Sequence, residues 1–570
     1  MGSAWAFGIS NTAMADVESS PSFGPVSAPL AIDQVLSCLD TADFRAWGVV
    51  SIAWHLLISG GRFGLEGDLG ERPCSHRRQP WRERVWSFAR HGLPQIGRTP
   101  TAAGQSRPSA LSGRASSRRA VVSVHLGGRG VGVAESAWPL YQISQGQSTC
   151  EAMHYMADTK PGERLVPRAV LVDCGEGGPD LLLRGPCRRL FHPSAAVGAS
   201  CPGLAAAPAR PTCGTYSACS MAGEEDASNA IEQIAELTLD RCRIFAEDAD
   251  SLGGFMPIYA ADGGGASHVA ARLLCTDTFQ DTFGSCGVFP VVCVAGGDAT
   301  SLQASILATL HVRHSDADAG VMFSDEQIAS VVALLQNQGL LLNSKTSSLE
   351  AMVVGRWLDL FTHKIRTDPS SGLVHSLDDS GIMWHPSSKF LVPSLAAHAG
   401  RLDPQSTVSN MVRTLHNPSG CLLDMGPLCA DPRSPTSCCY LRTKVLMRAA
   451  SDSVGAELRK ACWHLRSDLR FAGFVDAQVP AEFQGCPSSG CCGGLAGGEA
   501  VADPTWAIGS SNHTAFGAWL GERLQRLKRM TGVKTGLGED DLNKCLELVQ
   551  DYETMVTDLD LSSALGAPWC

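Results

Sequence analysis

Residues 120–141 read AVVSVHLGGRGVGVAESAWPLY, passing from a strand pattern through a glycine loop to a helix pattern within one short span. Val121, Val122, Val124 and Leu126 form an apolar, β-branched run of the kind that makes a strand buried on both faces. Gly127, Gly128, Gly130 and Gly132 follow. Lacking Cβ atoms, they let backbone N–H groups turn toward a ligand at the start of a helix whose dipole favours anions. The span reads as a phosphate-binding βα unit, with an ordinary tight turn as the alternative.

Downstream, buried strand patterns alternate with amphipathic helix patterns, which predicts an α/β fold built on a Rossmann-like parallel sheet covered on both faces. A second strand is expected over 168–173, ending in Asp173, and a helix over 227–248. The strand expected over 254–260 runs into Asp262, Gly263, Gly264 and Gly265, with a helix from about position 267. Two glycine turns at the carboxyl ends of strands in one sheet place a ligand in the crevice between them. Helical patterns follow over 305–310 and 326–335, and 347–365 reads as one long helix crossing the middle of the molecule. From 371 onward an α+β region is expected, with strands at 436–441 and 470–475 around a helix over 452–465. Helices at 515–530 and 539–559 close the pattern, the first basic on one face through Arg523, Arg526, Lys528 and Arg529.

At 570 residues the chain is long enough for two to four domains, and 44% hydrophobic content suits a globular protein. A formal net charge of −11 argues against nucleic-acid binding by the whole chain. The 22 cysteines are scattered without CxxC pairs, and no signal-peptide pattern precedes them, so a reduced, cytoplasmic protein is expected. The apolar piece 46–59 is too short to span a membrane, and no membrane partner is expected. Residues 72–119 are rich in arginine, serine and glycine, so 1–118 is expected to be a disordered extension. A basic arm touching acidic partners is the alternative.

Several segments carry a family likeness. Residues 119–141 resemble the amino terminus of α-tubulin, including Ser123, His125 and the Trp138/Tyr141 pair. The resemblance continues through VPRAVLVDCGEGGPDLLLRGPCRRLFHP (166–193), His314-Ser315-Asp316, CADPRSPTSCCYLR (429–442), FVDAQVPAEFQG (474–485) and GLGEDDLNKCLELVQDYE (536–553), in the family's order and approximate spacing. It implies a tubulin-like fold with a GTPase-type nucleotide domain over 119–366 including the central helix, an intermediate α+β domain over 367–500, and a carboxyl-terminal helical region over 501–570. It also implies GTP and magnesium as ligands, a β-tubulin-like subunit and microtubule-associated proteins as partners, and a cytoplasmic, cytoskeletal location.

Carried over residue by residue, the resemblance places the nucleotide among Gly127, Gly128, Gly130, Gly132, Asp173, Gly175, Ala260, Gly263, Gly264, Gly265, Asp325, Asn343 and Ser347, with Asp173 and Glu176 toward magnesium. The family's phosphate-reaching glutamines are Gly128 and Gly132 here, and its GGGTGSG loop is DGGGASH (262–268). Asp262 brings a negative charge to that loop; a carboxylate stabilising its own helix and a metal ligand are the two readings. Asp325 stands at a base-reading asparagine, and Pro386 stands where an α-type chain carries the glutamate that activates water on the neighbouring subunit's nucleotide, so neither stimulation of hydrolysis there nor hydrolysis of its own is expected, although the chain resembles a GTPase family. The family's acidic tail is replaced by LSSALGAPWC (561–570). The leading expectation is an α-tubulin-like structural constituent of microtubules with a degraded GTP site. The alternative is a non-polymerising pseudo-GTPase relic acting only as a binding partner.

Overall fold

The computed structural model describes residues 119–564 apart from internal segments, the longest being 199–223, 378–387, 426–438 and 486–504. The expected extension over 1–118 lies outside the described residues. All described residues fall in one compact unit, Ala110–Cys570.

In chain order the elements are β1 (Arg119–Leu126), α1 (Gly127–Gln145), β2 (His154–Thr159), β3 (Gly162–Pro167), β4 (Ala169–Val172), β5 (Ala196–Val197), α2 (Glu224–Glu247), β6 (Ser251–Ala261), α3 (Gly265–Cys275) and β7 (Val291–Val294). Then come α4 (Ala299–His314), β8 (Gly320–Ser324), α5 (Asp325–Asn337), α6 (Thr346–Phe361), α7 (His363–Thr367), β9 (Phe390–His398), α8 (Pro404–Leu415), β10 (Tyr440–Ala449), α9 (Ser453–Asp468), β11 (Ala481–Gly485), β12 (Thr505–His513), α10 (Ala515–Thr531) and α11 (Glu539–Ala564).

Among the described residues one ten-stranded sheet runs in the order β11-β10-β12-β9-β8-β7-β6-β1-β4-β5, and β2 and β3 form a separate hairpin. From β5 to β9 every pairing is parallel. Beyond β9 the β12 pairings are antiparallel, while β11 returns parallel to β10. The seam between the two parts is narrow, resting on Gly320 opposite Phe390 and Val321 opposite Leu391.

β1 shows why the sheet needs cover on both sides. Val122, Val124 and Leu126 enter an apolar layer with residues of α2, α3, α4, α10 and α11, while Val121 faces the opposite layer with α1, α5 and α6. Successive strand residues point to opposite faces, so a near-continuous apolar run is what two covered faces require. A third apolar layer joins α8 and α9 to β9, β10 and β12 through Val408, Met411, Leu458 and Met447.

Three expectations change. The single helix over 347–365 is two helices meeting at Thr362, whose hydroxyl donates to the Leu358 carbonyl at 2.7 Å while its backbone turns to φ −85°, ψ 1°. Of the strand expected at 436–441, residues 436–438 lie outside the described residues and the rest opens β10 at Tyr440, which continues to Ala449 because Thr443 to Arg448 pair with β12. Around 470–475 the described part is one bridge, Phe471 to Tyr440, and the edge strand is β11. Among the described residues no helix is long and apolar enough to cross a membrane.

Candidate functional site

The first glycine loop is held from beneath by a buried polar network. Trp138 Nε1 donates to His125 Nε2 at 3.3 Å, so the ring proton sits on Nδ1, which donates to the Gly130 carbonyl at 3.0 Å. Ser123 Oγ stands 3.1 Å from the same Nε2. Burial pushes the His125 pKa down to about 4, keeping the ring neutral and the tautomer fixed. Ser123, His125 and Trp138 thus tie β1 to the first turn of α1.

Gly127 turns the chain at φ 66°, a conformation that favours glycine. Gly130 meets a packing demand: a Cβ there would lie 2.5 Å from the Ile258 carbonyl oxygen, because α1 presses onto β6. At Gly132 a Cβ would meet Ala351 of α6 at 3.5 Å, which places that residue at the contact between the two helices.

A cavity of about 150 Å³ opens at the carboxyl ends of β1, β6, β7 and β8. Leu126 at the end of β1 and Gly127, Gly128 and Arg129 of the first loop line it, with Ala260 near the end of β6, Asp262 and Ala266 of the second loop and α3, Cys293 of β7, Ala295 just after β7, and Asp325 at the start of α5. Of the sequence-derived residues it brings together Gly127, Gly128, Ala260 and Asp325. Gly130, Gly132, Gly263, Gly264, Gly265 and Asp173 are not in its lining. Gly175, Glu176, Asn343 and Pro386 lie outside the described residues, and Ser347 falls within α6 with its side chain likewise outside.

The second loop satisfies its amides internally. Asp262 Oδ1 accepts from the Gly264 N–H at 2.8 Å, and Ser267 Oγ accepts from the Asp262 and Gly263 N–H groups at 3.2 Å each while donating to the Ala260 carbonyl at 2.9 Å. Asp262 therefore acts as a carboxylate closing its own turn at the amino end of α3. Gly265 is a close-approach position, since a Cβ would lie 2.9 Å from the Cys174 carbonyl oxygen. Asp173 is buried just after β4, its N–H donating to Val197 at 2.7 Å. Among the described residues no cluster of three or more His, Cys, Asp or Glu side chains is arranged for a metal.

Arg129 is the residue that sequence reasoning passed over. Its Nη1 lies 2.6 Å from Glu350 Oε2 and its Nη2 2.5 Å from Asp325 Oδ1. Burial opposes its charge, but Cys293, Asp325 and Glu350 outweigh that and raise its pKa. Asp325 is shifted upward, by burial first, with Arg129 working against the rise. The oxygen assigned to read a guanine edge is thus engaged by a guanidinium. The signal was an arginine standing alone in a glycine loop; Glu350, one turn into the helix expected from 347, carried none. The loop after β7 is held the same way: Glu326 Oε1 accepts from the Gly296 N–H at 2.8 Å, and Arg523 Nη1 donates to the Ala295 carbonyl at 3.0 Å. Arg523, expected on an outer basic face, points inward and stacks over Trp519 at 4.5 Å. Arg526, Lys528 and Arg529 are exposed.

These residues do not fit a nucleoside triphosphate as they stand. The cavity of about 150 Å³ falls below the roughly 300–1,000 Å³ typical of ligand pockets, and in the second glycine loop the Gly264 amide is already taken by Asp262.

No family model matches the chain. It is similar to the tubulin alpha-1 chain of Arabidopsis thaliana, 23% identical over 371 residues, covering 59% of this chain and 74% of that one. It is also similar to the tubulin alpha-A chain of Neurospora crassa, 27% identical over 224 residues, covering 35% of this chain and 44% of that one.

Proposed function

For a divergent, α-tubulin-like chain with an α/β fold, we propose the role of a structural cytoskeletal subunit, pairing with a β-tubulin-like chain in microtubules in the cytoplasm. Similarity to α-tubulin over 371 residues carries this reading. Its guanine-nucleotide site is weakened: lost contacts at Gly128 and Gly132 and the altered 262–268 loop lower GTP affinity, and magnesium dependence rests on Asp173 with Glu176. Charged side chains on α10, Arg526, Lys528 and Arg529, offer a surface for acidic segments of associated proteins.

One observation favours a second reading, a non-polymerising binding partner: the chain's own side chains engage groups at the crevice, Asp262 the Gly264 N–H and Arg129 the Asp325 carboxylate. Cosedimentation with polymerising tubulin separates the two. Recovery in the pellet in proportion to polymer supports the subunit; coelution with soluble dimers but exclusion from polymer at every concentration supports the sequestering partner.

A further inference from the structure

We propose that the crevice is internally liganded and that Arg129 is its gate, a specificity-determining residue that must leave Asp325 before a guanine nucleotide enters. This rests on the nucleotide-site reading above and adds what regulates that site. Three polar groups around the crevice are engaged by the chain itself: the Gly264 N–H by Asp262, the Gly296 N–H by Glu326, and Asp325, which the resemblance gives to the base, by Arg129. Arg129 is the one that stands in the cavity lining together with its partner Asp325, its long side chain reaching from the first loop to α5 and α6, whereas Gly264, Gly296 and Glu326 do not line the cavity. Its two carboxylate partners clamp it in a fork that planar guanidinium matches and a lysine ammonium does not. The side chains involved are largely buried, with 17% exposure for Arg129 and Glu350 and 31% for Asp325, so the pairs are not swept apart by solvent. While the fork holds, Arg129 takes Asp325 Oδ1 and offsets its charge, leaving a weaker acceptor for the donors on a guanine edge, and the cavity of about 150 Å³ beside it is too small for a triphosphate.

The test is an equilibrium titration of the full chain with fluorescently labelled GTP, GDP and ATP. The double variant Arg129→Ala/Glu350→Gln removes one positive and one negative charge together and leaves Asp325 for the base. It is expected to bind labelled GTP about tenfold or more tighter than the native chain, with a smaller gain for ATP. Arg129→Lys alone, which keeps the net charge but cannot span both carboxylates as the planar guanidinium does, is expected to shift in the same direction by a smaller factor, and serves if the double variant does not fold. Unchanged affinity overturns the gate. Weaker affinity also overturns it, by making Arg129 a ligand contact. Neither outcome bears on cosedimentation, which reads assembly without reference to the pocket.

Discussion

Replacing Asp359 by asparagine keeps the side-chain shape and removes the charge that three arginines share. Asp359 is fully buried; its Oδ1 lies 2.7 Å from Arg366 Nη2, and its Oδ2 lies 2.5 Å from Arg448 Nη1 and 3.7 Å from Arg356 Nη1. Arg448 also donates to Gln484 of β11 at 3.0 Å, and Arg366 stacks on Tyr141 of α1 at 4.4 Å. The carboxylate therefore pins the central helix α6 to the far strands and to α1. Burial works to raise its pKa, but Arg448, Arg366 and Arg356 hold it down at about 2. A folded pKa depressed from the ordinary 3.8 contributes stability that is present above pH 3.8 and lost as pH falls through about 2. That shift corresponds to a few kcal/mol, and stranding buried guanidinium groups without their counter-charge costs about 3–5 kcal/mol. Asp359→Asn is accordingly expected to lose about 3–5 kcal/mol near neutral pH. Urea unfolding followed by tryptophan fluorescence and by far-ultraviolet circular dichroism measures it, with Trp357 and Trp506 close to the cluster. A midpoint change worth less than about 1 kcal/mol, with the slope unaltered, refutes the hub.

Gly130→Ala is expected to cost about 1–3 kcal/mol, since its Cβ meets the Ile258 carbonyl oxygen and backbone offers no easy retreat; an unchanged melting temperature contradicts the close approach. His125→Phe breaks the links to Trp138 and Gly130, with an expected loss of about 1–3 kcal/mol at pH 7.5. Its pH profile is the sharper readout. The folded His125 pKa of about 4 lies below the unfolded 6.5, so the neutral ring's contribution is complete above 6.5 and declines by up to about 3 kcal/mol as pH falls toward 4. The difference between native chain and His125→Phe therefore narrows across that window, and a constant difference rules the buried neutral ring out.

In the parallel half β1, β4 and β6 were legible because they carry the simplest signal, apolar runs ending in glycine or aspartate turns, whereas β5, β7, β8 and β9 were not read as strands. β10 was harder. Arg442, Lys444 and Arg448 interrupt its apolar pattern, and what makes them strand residues is pairing with β12, far away in sequence. Arg523 was misplaced for a related reason. Helical periodicity puts it among other basic residues, while its partner, the Ala295 carbonyl, lies on a distant loop. In the site, a glycine motif announces space for a ligand, yet Gly130, Gly132 and Gly265 stand at packing contacts of α1 and α3. Arg129 was invisible because its role depends on Asp325 and Glu350, which only the fold brings within reach.

The nucleotide carried by the purified full chain tests most directly whether this tubulin-like crevice is filled from within. Protein isolated in magnesium buffer, denatured, and its released nucleotides resolved by chromatography should yield well under one guanine nucleotide per chain. A full equivalent of GTP or GDP, retained through purification, contradicts the internally liganded site.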